Sequence, residues 1–189
     1  MDLNLSGKRV LVTGGSKGLG LAIARRFASE GCDIHLASRT KAVLDGAAET
    51  IRQQYPVKVD AIAIDLAQPG FAERLADACG DVDILVNNAG DVPSGSLEAL
   101  DETRWRAGWN SKVFNYINLS REYFRRMKAR GTGVIVNVTG IAGDLLDASY
   151  IAGSVGNAAM AAFTKALGST SHKFGVRVVG VNPGPCATE

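Results

Sequence analysis

The chain has 189 residues, with 21 Lys plus Arg against 19 Asp plus Glu, a net charge of +2, and three cysteines. Such a balance gives no general attraction to nucleic acid or to an anionic membrane surface, and no run approaches the roughly 18 apolar residues of a membrane span. Cys32, Cys79 and Cys186 are an odd, widely spaced set without CxxC or CxxH pairing, which indicates neither a disulfide framework nor a zinc site and predicts a reducing, cytoplasmic setting with no metal.

The opening MDLNLSGKRV lacks the apolar core of a signal peptide. Val10-Leu11-Val12 then forms a first short apolar run, followed by Leu19, Ile23 and Phe27 at helical spacing. Ile34-His35-Leu36 is a second run, followed by Val43, Ala47 and Ile51 on one helical face; residues 59–64 are a third, followed by Phe71, Leu75 and Cys79. Ile84-Leu85-Val86, Val134-Ile135-Val136 and residues 178–181 complete six strands, with long helices expected over 101–130 and 151–174. Near-continuous apolar strands are those of a sheet covered on both faces. Their alternation with helices predicts an α/β fold: a Rossmann-type, doubly wound parallel sheet with helices on both faces, in a single domain spanning 1–189.

The first long helix ends in REYFRRMKAR, expected to be a solvated basic face at a helix C-terminus. The second carries AAMAAFTKALG, whose small residues allow close packing either within the core or between copies. His35 and His172 are expected to be structural.

The chemistry begins at TGGSKGLG, residues 13–20, placed between the first strand and its helix. Gly14 permits a tight turn, Gly18 a close approach to phosphate, and Gly20 close packing of helix on sheet. A pyrophosphate would lie on the helix N-terminus, where unpaired N–H groups and the helix dipole favour an anion, with Ser16, Lys17 and Leu19 beside it. NAD-specific sites place a carboxylate at the end of the second strand to hold the ribose. Here Ser38 and Arg39 occupy that place, and Lys17 adds a second cation, so NADP(H) is expected in preference to NAD(H).

The turn at 13–20, Asp65-Leu66 after the third strand, NNAG at 87–90 after the fourth and PGPCAT at 183–188 after the sixth together resemble the short-chain dehydrogenase/reductase family along essentially the whole chain. The resemblance implies a nicotinamide dinucleotide, a small-molecule substrate, and a homodimer or homotetramer that engages neither nucleic acid nor membrane. Asp65 with Leu66 would meet adenine, Asn88, Ala89 and Gly90 the adenosine ribose side, and Pro183, Gly184 and Thr188 the nicotinamide. Family members continue for several tens of residues past the PG motif with a substrate-covering segment and a last strand, which are expected to lie outside this chain.

The family also uses an Asn on the long helix after the fourth strand, a Ser ending the fifth, and a Tyr-x-x-x-Lys pair on the next helix. Aligned without gaps, those positions are Lys112, Gly140, Gly153 and Asn157. Gly153 has no proton to donate and Asn157 no charge to lower a phenol pKa. Tyr150 lies seven residues before Asn157, a spacing similar to the Tyr-x6-Lys of enoyl-thioester reductases, although the phosphate turn is of the ordinary reductase kind. Tyr150, Lys112 and Asn157 are therefore the expected catalytic residues of a non-standard site, transferring hydride to or from a carbonyl or enoyl-type substrate. The alternative is a catalytically silent dinucleotide-binding sensor or partner subunit. Thr139 is expected to point away from the site.

Overall fold

A computed structural model describes residues 3–184 and 186. Six strands, β1 (Arg9–Thr13), β2 (Asp33–Ser38), β3 (Val59–Ala63), β4 (Ile84–Asn87), β5 (Gly133–Val138) and β6 (Val176–Val181), form one sheet in the order β3-β2-β1-β4-β5-β6. Every neighbouring pair is parallel. After β3 the chain returns past β1 and starts building outward on its other side. That reversal opens a crevice at the carboxyl ends of β1 and β4, where Val12 is in register with Val86.

Apolar side chains alternate between the two sheet faces, and each face has its own helical layer. Leu11, Leu85 and Ile135 meet Phe71 and Leu75 of α3 (Phe71–Cys79) and Leu119, Tyr123 and Met127 of α5 (Asn115–Arg130). Val10, Val12, Ile34 and Leu36 meet Ala24 and Ala28 of α1 (Gly18–Ser29) and Leu44, Ala48 and Ile51 of α2 (Lys41–Gln54). Burying each Leu, Ile or Val side chain favours the fold by roughly 1.5–3 kcal/mol. The fold is thus the α/β, helix-flanked parallel sheet expected from the apolar runs.

Particular expectations need correction. In α2 the buried stripe is Leu44, Ala47, Ala48 and Ile51, while Val43 is 48% exposed beside the crevice. In α1 the fully buried positions are Gly20, Ala24 and Ala28, with Leu19, Ile23 and Phe27 half-buried, because small residues let the helix lie close to the sheet. The expected helix over 101–130 is α4 (Glu102–Trp109), a π-helical turn (Asn110–Phe114) and α5 in succession, and Asp101 caps α4 by accepting the Arg104 amide at 2.7 Å. The helix expected over 151–174 is α6 (Ile151–Ser171), followed by a short 3-10 turn.

The basic end of α5 does more than meet solvent. Arg126 donates to Ala76 O at 3.0 Å and pairs with Asp77 and Glu122, while Arg130 donates to Val82 O at 2.7 Å and pairs with Asp81. These guanidiniums therefore tie α5 to the end of α3. The small residues of α6 serve intramolecular packing at Gly168, where a Cβ would lie 2.8 Å from Val178 O on β6. His35 is buried with Nδ1 3.2 Å from the Asp60 carboxylate, and His172 ends α6 at the surface. No helix among the described residues is long and apolar enough to cross a membrane.

A buried polar chain fixes β4, β5, α5 and α6 to one another. Asn87 donates to Ser120 Oγ at 3.0 Å and to Asn137 Oδ1 at 2.9 Å, and Asn137 donates to Thr164 Oγ1 at 2.9 Å. Within a low-dielectric interior such bonds are strong and directional, so they set register as well as stability.

Candidate functional site

The glycine turn joins β1 to α1. Gly14 sits at φ +68°, a conformation glycine adopts without cost, and a Cβ on Gly20 would lie 2.2 Å from Gly14 O. The chain can therefore fold back on itself only with glycine at both places. Lys17, at the N-cap of α1, makes no side-chain capping bond, and no acidic residue stands in the first turn. The first amides of α1 thus retain donors for an anion at the mouth of the crevice.

Thr13 connects this turn to NNAG. Its Oγ1 accepts the amides of Asn88 and Ala89 at 2.9 and 3.0 Å, and Asn88 Nδ2 donates to Thr13 O at 3.0 Å. The two loops consequently form opposite walls of a cleft of about 590 Å³. Gly14, Ser16, Lys17, Gly18, Leu19 and Gly20 line it from the turn. Ser38 and Arg39 line it from the end of β2, Asp65 and Leu66 from the end of β3, and Asn88, Ala89 and Gly90 from NNAG. Every residue expected in these four segments is thus brought to one cleft.

The wall formed by the glycine turn and the end of β2 carries uncommitted polar groups. Ser38 Oγ is buried without a hydrogen-bond partner, and Lys17 and Arg39 are exposed and make no ion pair among the described residues. Asp65 accepts from the Ala67 amide at 3.0 Å and Gln68 Nε2 at 3.1 Å; these bonds, with Arg39 nearby, hold its carboxyl below the usual carboxylate range. Thr40, Val43 and Asp91 also line the cleft. Sequence patterning gave no signal for them, since they border the glycine turn only in three dimensions.

Pro183 and Gly184 follow β6 and are not in the cleft wall. Asn182, just before them, donates to Asp144 at 3.0 Å and anchors this segment to the loop after β5. Thr188 lies outside the described residues.

At the other end of the cleft the π-helical turn is fastened to NNAG. Ser111 Oγ accepts the Asp91 amide at 3.1 Å and lies 2.6 Å from Asp91 O. Lys112, the next residue, packs its methylenes over Gly90, where a Cβ would lie 2.9 Å from Lys112 Cδ. Its ammonium has no hydrogen-bond or ion-pair partner among the described residues, and burial holds it below the ordinary lysine pKa.

Tyr150 immediately precedes α6 and packs against the buried cluster of Val92, Leu100 and Ala152. The loop carrying Val92 is pinned to this segment by Gly95, whose amide donates to Ser149 O at 2.8 Å. The Tyr150 hydroxyl has no hydrogen-bond partner among the described residues, and burial, then the Asp91 charge, raise its pKa above the usual phenol value. Asn157 is buried, donates from Nδ2 to Gly153 O at 2.9 Å and lies against Gly140; its Oδ1 is without a partner. Tyr150 and Asn157 thus converge on Gly153, whereas Lys112 approaches from Gly90. None of the three lines the cleft itself. Thr139 binds Val181 O through its amide at 2.9 Å and its Oγ1 at 3.3 Å, facing the β6 side.

The family model for short chain dehydrogenases matches residues 8–189. The chain belongs to this family. Galactitol 2-dehydrogenase (L-tagatose-forming) from Cereibacter sphaeroides is 34% identical over 187 residues, covering 98% of this chain and 74% of the relative. NADPH-dependent aldehyde reductase 1, chloroplastic, of Arabidopsis thaliana is 32% identical over 195 residues, covering 97% of this chain and 67% of the relative. Among solved structures, L-sorbose reductase from Gluconobacter frateurii, complexed with NADPH and L-sorbose, superposes with a TM-score of 0.93 at 34% identity, over 100% of this chain and 73% of that one. The short-chain dehydrogenase chain described here is therefore a member of a family of oxidoreductases, several of whose similar members use or bind NADPH.

Proposed function

We propose that this short-chain dehydrogenase is an NADP(H)-dependent oxidoreductase of small molecules, with Tyr150, Lys112 and Asn157 as the polar groups of a non-standard catalytic site. The observation that carries the cofactor assignment is the single cleft joining the glycine turn, the α1 N-terminus, Ser38 and Arg39. A buried hydroxyl without a partner and two unpaired cations suit a 2′-phosphate, which brings both acceptor oxygens and negative charge. Asp65 and Leu66 would flank adenine, and Asn88, Ala89 and Gly90 the adjoining ribose. Pro183, Gly184 and Thr188 are assigned to the nicotinamide side from the family pattern.

When bound, the dinucleotide supplies or takes up hydride. The protein's part is to bind the substrate oxygen and manage its charge and proton. The Tyr150 phenol, protonated at working pH, would donate a hydrogen bond to a carbonyl oxygen. The partly buried Lys112 ammonium would stabilise the negative charge arising there, and burial, by lowering its pKa, makes its proton easier to give up than that of an ordinary lysine. For an enoyl-type substrate the same groups would hold an enolate until it takes a proton. Asn157, with an acceptor still open, suits a ligand hydroxyl such as that of a ribose. Relatives acting on galactitol, on aldehydes and on L-sorbose make carbonyl and alcohol pairs the leading substrates. A homodimer or homotetramer in the cytoplasm completes the assignment.

Calorimetric titration with NADPH and NADH, followed by NADPH oxidation with ketoses, aldehydes and enoyl thioesters, tests it. The expected result is tighter binding of NADPH and turnover with one substrate class. Binding without turnover in any class would leave a silent dinucleotide sensor or partner subunit as the better description.

A further inference from the structure

A tyrosine at the start of a helix ordinarily projects beyond the helix end. Tyr150 does not. Its backbone is outside the helical region, at φ −132° and ψ 39°, and its ring turns back over the first turn of α6. A Cβ on residue 153 would lie 2.0 Å from both Cε1 and Cζ of that ring, far inside the roughly 3.5–4 Å at which carbon atoms pack. Gly153 is buried within α6 and is not among the residues with positive φ, so the helix backbone itself does not require glycine there. Helical preference alone favours alanine.

We propose that Gly153 is a positioning residue: the side chain it lacks leaves the seat that holds the Tyr150 ring and so fixes the hydroxyl offered to substrate. The functional half of this inference rests on the assignment of Tyr150 to the substrate oxygen made above. The surroundings complete the seat. Gly153 O accepts Asn157 Nδ2 at 2.9 Å, the Ser154 amide donates to Tyr150 O at 2.9 Å, and Tyr150 packs against the buried cluster of Val92, Leu100 and Ala152. A ring seated in this way, with an uncommitted hydroxyl, is a preorganised donor, which loses little entropy when a ligand oxygen arrives.

The test is Gly153→Ala in two backgrounds, read by Tm, NADPH Kd and kcat/KM. With Tyr150 present, the added methyl evicts the ring. Tm falls, kcat/KM drops roughly a hundred-fold, as expected for a misplaced catalytic group, and NADPH Kd stays within about two-fold. Gly153→Ala adds no further loss of kcat/KM to Tyr150→Phe. In the Tyr150→Ala background the same substitution raises Tm, because only helical preference remains. If Gly153→Ala does not fold, recovery of folding in Tyr150→Ala/Gly153→Ala supports the seat, and failure of both overturns it. An equal fall of Tm in both backgrounds, or a Gly153→Ala protein with unchanged Tm and kcat/KM, also overturns it. The thermal arm needs no substrate: absence of turnover in the native protein would refute the oxidoreductase assignment, while the sign of the Tm change still decides the packing.

Discussion

Asn88 and Thr13 grip each other from both ends: the Asn88 amide donates to Thr13 Oγ1 at 2.9 Å and Asn88 Nδ2 donates to Thr13 O at 3.0 Å. The Ala89 amide shares the same Thr13 oxygen at 3.0 Å. One hydroxyl thus holds the NNAG loop against the glycine turn. Thr13→Val keeps the shape and removes the acceptor, leaving two amides unpaired. The expected cost is about 1–3 kcal/mol in urea unfolding, with weaker NADPH binding because the cleft walls lose their spacing. Unchanged stability would mean that water satisfies these amides.

Arg39 is exposed at the cleft and makes no hydrogen bond or ion pair among the described residues, although the Asp65 charge is nearby. Arg39→Ala should weaken NADPH binding by about 1.5–3 kcal/mol, the worth of a charge-assisted bond, and NADH binding far less. Calorimetry with both nucleotides checks this. Equal losses for the two would refute a phosphate contact.

Lys112 carries a pH dependence whose sign follows from burial. Its folded pKa is below the ordinary lysine value, so between the two pKa values the unfolded chain binds more protons. Stability should therefore rise with pH across that window, and Lys112→Met should raise Tm at pH 7 while lowering kcat. If the ammonium serves the reaction, kcat falls on the alkaline side with an apparent pKa below that of ordinary lysine. Lys112→Arg, which stays charged, should lose that limb and retain part of the activity. A limb that persists in Lys112→Arg would assign it to another group.

The six strands of a parallel, doubly wound sheet were legible in outline because strands covered on both faces announce themselves as apolar runs. Local patterns also singled out the glycine turn and Arg39, while NNAG was singled out by the family resemblance; all three line one cleft. What local patterns missed depends on contacts between distant segments. Val43 looks like a core residue on its helix, yet the crevice lies on that side and leaves it exposed. The π-helical turn placing Ser111 on Asp91 and Lys112 on Gly90 has no local signature within a long amphipathic helix. Gly153 read as a lost side chain in one dimension. Its significance emerges only with the Tyr150 ring above it.

Asn137 shows how the polar interior holds the two site helices. It accepts from Asn87 and donates to Thr164, both fully or nearly fully buried. Asn137→Ala should destabilise by about 1–3 kcal/mol by leaving buried partners unpaired, and activity should fall more steeply with temperature than in the native protein. Thermal unfolding and activity measured together provide the check. A substitution without effect on either would show the chain of bonds to be dispensable.

The central claim is that the cleft holds the adenosine and pyrophosphate of NADP(H), and that the nicotinamide extends past it to face Tyr150 and Lys112. A crystal structure of the protein with NADP+ bound tests it most directly. The account predicts the 2′-phosphate on Ser38 and Arg39, the pyrophosphate on the α1 N-terminus, and the Tyr150 hydroxyl and Lys112 ammonium as the polar side chains nearest nicotinamide C4. A dinucleotide bound elsewhere, or a nicotinamide ring faced by other side chains, would contradict it.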